Sequence, residues 1–352
     1  MAQRWKQRPP GSNWGDFGPD DQRGRMNLVT REKVLQGIAE VKEGLTFVLS
    51  LPLDYPGGTA LNPRRNPPRH FATLRGGRQN FCYPLADENP IHTDVVCDDA
   101  VLLTLQYSTQ WDSFAHMGSR FDADGDGKPE IVFYNGFRGG EDVKPAPAPV
   151  VPAEAGTQAA LQYEGPRAAA LGIEHLAEHG AQGRGVLVDL HAHFGRERRA
   201  VGYDELMRVL EADRVAVEKG DFVCFYTGFA DLILELRKNP DAKLLHSTCS
   251  GLDGRDEKLL QWVTGCGCAA LIADNFAVEL IPASPFKPMP HAALPLHEHC
   301  LFKNGIHLGE IWYLTELARW LRAHGRNRFL LTAPPLRLPG AVGSPATPVA
   351  TV

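Results

Sequence analysis

The sequence has no run of about 18 apolar residues, which excludes a helical membrane span. It also lacks a block of either charge sign. Its 37 basic and 42 acidic residues leave a net charge of −5, without the basic surplus of a nucleic-acid or anionic-membrane binder. The seven cysteines, at 82, 97, 224, 249, 266, 268 and 300, are odd in number and scattered. That is unlike a disulfide framework or a Cys-x-x-Cys zinc knuckle. Cys266-Gly267-Cys268 is the one close pair and alone says little about metal, while Cys224 and Cys300 are expected in the core. The opening Met1-Ala2-Gln3-Arg4-Trp5-Lys6 has no apolar stretch of the secretory kind, so the expected compartment is the reducing cytoplasm.

Several catalytic motifs are missing too. There is no Gly-x-Ser-x-Gly elbow, no Walker loop and no His-Glu-x-x-His helix. Gly265-Cys266-Gly267-Cys268-Ala269-Ala270 fits a dinucleotide fingerprint superficially, but it precedes a predicted strand instead of following one and reads as a tight turn.

Turn formers are plentiful: 35 Gly and 27 Pro in 352 residues predict many turns and long irregular connections. Residues 1–27 read as an irregular N-terminal arm and 28–352 as one domain. Thr30 starts a predicted helix with Val34, Leu35, Ile38 and Val41 on one face and Gly44 as its stop. Leu45 to Ser50 reads as a strand, and 54–98 as a long surface loop of the kind that is often functional. The apolar run 101–105 reads as a buried strand. The Pro-rich stretch 144–157 reads as a stiff insertion. Strands predicted at 185–190, 221–227, 269–273 and 328–332 alternate with helices at 169–180, 204–219 and 311–324, which indicates the α/β class.

The densest polar cluster follows the run at 101–105: Gln106-Tyr107-Ser108-Thr109-Gln110-Trp111-Asp112-Ser113-Phe114-Ala115-His116. In an extended chain alternate side chains share a face, so Gln106, Gln110, Asp112 and His116 would project together. Amide and carboxylate oxygens can hold a divalent ion and leave a histidine to move protons. A buried structural network is the competing reading.

This segment resembles the His-x-x-x-His-x-Asp-x-x-x-His signature of the cyclase-like metal-dependent hydrolases, the family of bacterial kynurenine formamidase and isatin hydrolase. Asp274-Asn275, Pro295-Leu296-His297, Gly305-Ile306, Gly309-Glu310 and the C-terminal 329–336 and 343–345 are similar to the family as well. The resemblance implies a swivelling β/β/α architecture and a homodimer or homotetramer. It also implies a metal-dependent hydrolase of small molecules that cleaves a carbon–nitrogen bond, expected to be a cyclic amide, by metal-activated water. A lactone hydrolase, or an inactive metal-poor binding protein, are the alternatives. Residue by residue it makes Asp112, His297 and Glu310 metal ligands and His116 the proton shuttle, with His299 a rival to His297 and His291 and His307 outside the ligand set. Gln106 and Gln110 stand where the family has histidines, so the expectation is one Mn²⁺, Zn²⁺ or Mg²⁺, with Gln110 and Gln106 as candidate ligands. Trp14, Phe17 and Asn27 are expected near substrate, and Trp111 beneath the site.

Asp122-x-Asp124-x-Asp126-Gly127, with Glu130 at position 9, fits the opening of a calcium loop, although Phe133 replaces its closing glutamate. A solvated acidic turn is the alternative. His191 and His193 are spaced as a metal pair. Arg64, Arg65 and Arg69 in the long loop can recognise a substrate carboxylate bidentately, with a solvated face as the alternative.

Overall fold

The computed structural model describes residues 4–146, 165–283 and 290–352. Most of the Pro-rich stretch 144–157 lies outside them. Nine strands build the central sheet: β1 (Thr46–Val48), β2 (Gln110–Asp112), β3 (Gln182–Asp189), β4 (Phe222–Tyr226), β5 (Ala270–Ala273), β6 (His307–Glu310), β7 (Arg328–Thr332), β8 (Gly343–Pro345) and β9 (Val349–Thr351). Their order is β1-β9-β7-β3-β4-β5-β6-β2-β8. Strands β3 to β6 run parallel, and the flanking pairs are antiparallel.

The α/β expectation holds, for a physical reason. β4 and β5 are continuous apolar runs, and every residue in them is buried, as in a sheet covered on both faces. Alternation then divides the core. Val186, Val188, Val223, Phe225 and Leu271 face one cluster, while Leu187, Phe222, Cys224 and Ile272 face the other. Helix α1 (Arg31–Ile38) lies against β3. Helices α2 (Tyr203–Ala212) and α3 (Glu257–Gly265) join the first cluster through Leu206, Val209, Leu259 and Val263. The short α4 (Pro295–His297) leads into a π-helical turn, Glu298–Lys303. Helix α5 (Thr315–Ala323) joins the second cluster through Leu317, Ala318 and Leu321.

Three expectations need correction. Thr30 does cap α1, accepting from the Lys33 backbone N–H at 3.3 Å, but Leu35 and Ile38 are about half exposed and the buried residues are Lys33 and Gly37. Lys33 Nζ reaches the buried Asp221 carboxylate at 3.1 Å, which also takes two bonds of 2.9 Å from Arg184. Gly37 lies so close to β3 that a Cβ there would sit 2.8 Å from the Gly183 carbonyl carbon. A buried ion pair and backbone contact override the apolar stripe.

The run 101–105 is not a buried strand. Its strand, Asp99–Leu102, pairs only with Arg69–Ala72, and Val101 and Leu102 are 47% and 43% exposed. Nor is 54–98 a plain loop. It carries two further small ladders, Leu74-Arg75 with Arg78-Gln79 and Tyr83-Pro84 with Val95-Val96. The first turns through Gly76 and Gly77, both at positive φ, as a tight hairpin requires.

Candidate active site

β2 lies between β6 and β8, and its register with β6 sets Gln110 opposite Glu310 and Asp112 opposite Leu308. Alternation along β2 puts Gln110 and Asp112 on one face and Trp111 on the other, where Trp111 meets Trp312 edge-on at 5.0 Å. The expected extended conformation holds only over 110–112. Gln106 sits in a turn ahead of the strand, and 114–116 turn back after it. The His116 N–H donates to the Ser113 carbonyl at 3.0 Å, and this turn brings His116 Nε2 to 3.8 Å from Asp112 Oδ2.

α4 delivers His297 from the other side. Its Nε2 lies 3.1 Å from Glu310 Oε1 and its Nδ1 2.8 Å from Glu279 Oε1. Glu279 also accepts from the backbone N–H groups of Leu296 and His297, at 3.2 and 3.0 Å. Glu279 was missed by motif reasoning. Its one sequence signal is a lone carboxylate inside the apolar run Ala277-Val278-Glu279-Leu280-Ile281. His299 points away, bonded to Thr264 Oγ1 at 2.9 Å. His307 stacks on Phe114 at 4.1 Å and bonds the Asp112 carbonyl through Nδ1 at 2.9 Å, bracing β2 from behind. His291 lines a different cavity.

Ligand atoms of Asp112, His297 and Glu310 all lie within 4.8 Å of one another, and all three residues are buried. Burial raises the Asp112 carboxyl to about 6, with His116 pulling it down and Glu310 pushing it further up. Burial depresses the His297 imidazole, but its bonds to Glu279 and Glu310 outweigh that and raise it to about 10.

The residues present fit a divalent cation. Asp112, Glu310 and Glu279 are buried around a single imidazole, a negative excess that costs several kcal/mol (roughly) unless compensated. Among the described residues Asp112 Oδ2 and Gln110 Oε1 are buried without a hydrogen-bond partner. Gln110 Nε2 donates to Glu310 Oε2 at 2.8 Å. Half a turn of that amide would present its oxygen to the same carboxylates, an arrangement only a cation would tolerate.

The cluster floors a cavity of about 630 Å³, into which His116, Gln106, Arg64, Arg65 and Phe276 also project. The residues expected near substrate in the N-terminal arm lie elsewhere. Trp14 is core, its Nε1 donating to the Phe302 carbonyl at 2.8 Å. Phe17 is half-buried and does not line the cavity. The Asn27 amide folds back onto Asp21 and Gly24. Arg69 belongs to the arm strand and also stays outside. His193 pairs with Asp213 at 3.0 Å instead of joining His191 in a cluster. In the acidic turn, Asp122, Asp124 and Glu130 bring oxygens within 4.8 Å, and Asp126 stands outside that group. Backbone N–H groups of Gly125, Asp126 and Gly127 occupy Asp122, and Arg138 pairs with Glu130.

The sequence profile of the family described as "Putative cyclase" matches residues 49–280. Among curated proteins no match was found. The chain is similar to a solved structure described as a novel cyclase, at 29% identity over 98% of this chain and 100% of that one, with a TM-score of 0.70. Isatin hydrolase A from Ralstonia solanacearum shares the fold at 14% identity, over 91% of this chain and 97% of that one, with a TM-score of 0.53. Isatin hydrolase A from Labrenzia aggregata, solved with benzyl benzoate, shares it at 11% identity, over the same 91% and 97%, with a TM-score of 0.52. The swivelling β/β/α architecture expected from the sequence is the fold of these relatives.

Proposed function

The chain belongs to the cyclase family, and we propose that it is a metal-dependent hydrolase that opens a carbon–nitrogen bond in a small cyclic amide. The observation that carries this reading is the buried group of Asp112, His297 and Glu310, in which Asp112 Oδ2 has no hydrogen-bond partner. Those three residues would hold the cation, and the Gln110 amide, turned over by half a turn, would add its oxygen as a fourth donor. A donor set with imidazole beside carboxylates suits Mn²⁺ or Zn²⁺ better than Mg²⁺. When bound, such an ion supplies Lewis acidity toward a carbonyl and lowers the pKa of water.

This chain's residues supply the rest. Glu279 accepts at Nδ1 of His297, which fixes the ring and leaves Nε2 as the donor atom. His116 lies at the cavity floor beside Asp112. Its Nε2 takes the proton of the attacking water and returns it to the leaving nitrogen, and the Asp112 carboxylate favours the charged ring between those events. Leu61, Phe276 and Ile311 form an apolar wall that limits water near the reacting carbonyl.

The test is elemental analysis of protein purified without chelator, beside Asp112→Asn, together with a panel of lactams and lactones. About one Mn or Zn per chain is expected in the wild type only, with lactam hydrolysis falling on the order of 10³-fold in the variant. Absence of a transition metal from both samples would overturn the reading. Turnover of lactones alone would replace the amide with a ring ester.

A further inference from the structure

Several arginines elsewhere in the molecule are matched to acids, some of them exposed. Arg75 meets Glu88, Arg78 meets Asp87, Arg196 meets Glu235 and Arg199 meets Glu205. The two arginines lining the active-site cavity are different. Arg65 is half-buried, and its one side-chain bond runs from Nη1 to the Gln106 carbonyl at 2.8 Å. Arg64 is exposed, and only its backbone N–H is engaged, by Asn62 Oδ1 at 3.1 Å. Neither guanidinium meets a carboxylate within 4 Å among the described residues.

The loop that carries them is fastened to the cavity wall. The Tyr107 hydroxyl donates to the Gly58 carbonyl at 2.8 Å, and the Asn66 N–H to Thr104 Oγ1 at 3.1 Å. With the Arg65 bond, these hold two cations in the wall of the cavity that His297 and Glu310 also line. Phe276 forms part of the wall, with the His246 ring edge-on against it at 5.2 Å.

We propose that Arg64 and Arg65 form a carboxylate-recognition site, so that the substrate is a small, flat amide bearing a carboxylate remote from the scissile bond. A guanidinium offers paired N–H donors that match a carboxylate. Glu310, which lines the same cavity, repels that group, which favours binding with the carboxylate on the arginines and the scissile carbonyl toward His116 and Glu310. This rests on the hydrolase reading only for the word substrate; the anion site is defined by the cavity itself.

Two measurements separate the claims. The first is kcat/KM for phthalimide bearing a ring carboxylate against its methyl ester. The second is calorimetric binding of isophthalate, against neutral isophthalamide, to chelator-treated protein, where no metal competes for the anion. The wild type is expected to prefer the acid by about tenfold or more. Arg65→Gln should collapse that ratio toward one and weaken isophthalate binding by about tenfold, Arg65→Lys should restore part of both, and Arg64→Gln should have a smaller effect. Imide hydrolysis with no preference for the acid, or a preference and isophthalate affinity that Arg65→Gln leaves unchanged, would overturn the anion site and leave the hydrolase standing. Arg65-dependent isophthalate binding without any imide turnover would do the reverse.

Discussion

Two regions of this chain use similar residues to opposite ends. In the middle of the sheet, Val186, Val188, Val223 and Leu271 are fully buried. In the arm between Arg69 and Leu102, Val95, Val101 and Leu102 are exposed, and Ile91 is 79% exposed. Residue type does not distinguish them. The central strands have neighbours on both edges and helices over both faces, whereas the arm strands run two to four residues and pair only in twos. Burial here follows the number of partners a strand finds, and Asp112 and Glu310 stand on strands paired along both edges.

The sharpest way to break that contrast is at the ion pairs behind the sheet. Asp221→Ala would leave the buried Lys33 and Arg184 with only the half-exposed Glu218 as an acid partner. It should cost about 3–5 kcal/mol in denaturant unfolding. A slightly smaller effect is expected at His307, held down to about 4 by burial against an ordinary 6.5. Folded, it stays neutral where the unfolded chain takes up a proton. Its stabilisation is therefore complete above about pH 6.5 and is lost as the pH falls toward 4. His307→Asn removes that dependence, so the stability gap between wild type and variant should narrow by about 3 kcal/mol over this window. An unchanged gap in chemical denaturation would show the ring to be protonated in the fold.

At the site itself, Glu279→Gln removes the anionic partner at Nδ1 of His297. Metal affinity should drop about 10- to 100-fold in a chelator competition, with the fold intact. An unaltered affinity would mean that Glu279 serves only the backbone of α4. The smallest effect belongs to the arm. Val101→Ser should change stability by less than about 0.5 kcal/mol, and a larger loss in the isolated chain would show that the arm is packed in solution.

The same contrast explains what could be read in the sequence. The strands expected at 185–190, 221–227, 269–273 and 328–332 were legible because short apolar runs between helical patterns leave few alternatives. Val101 and Leu102 obeyed that pattern and ended up exposed, because no residue in the run announces that its strand will find one partner. Helix α1 was legible in its start, through Thr30, but not in its buried face, since the acid that draws Lys33 inward lies 188 residues away. At the site, the segment 106–116 and the pair His297 and Glu310 were recognisable by motif, and the fold brings Asp112, His116, His297 and Glu310 together. Glu279 was not, because it holds His297 from 18 positions away in the sequence, where no spacing rule applies.

The pairing of Trp111 with Trp312 has a consequence for change over time. Both rings are fully buried on the reverse of the strand that carries Gln110 and Asp112, and each indole N–H is spent on a backbone carbonyl, of Ala333 and of Gln110. The strand is thus bolted in place from behind, independently of the side chains on its working face. Donors at positions 106 and 110 can be swapped, amide for imidazole or back again, like bits in a fixed chuck. Gln110→His would meet an unaltered mount, and the choice of metal can drift without the scaffold being rebuilt.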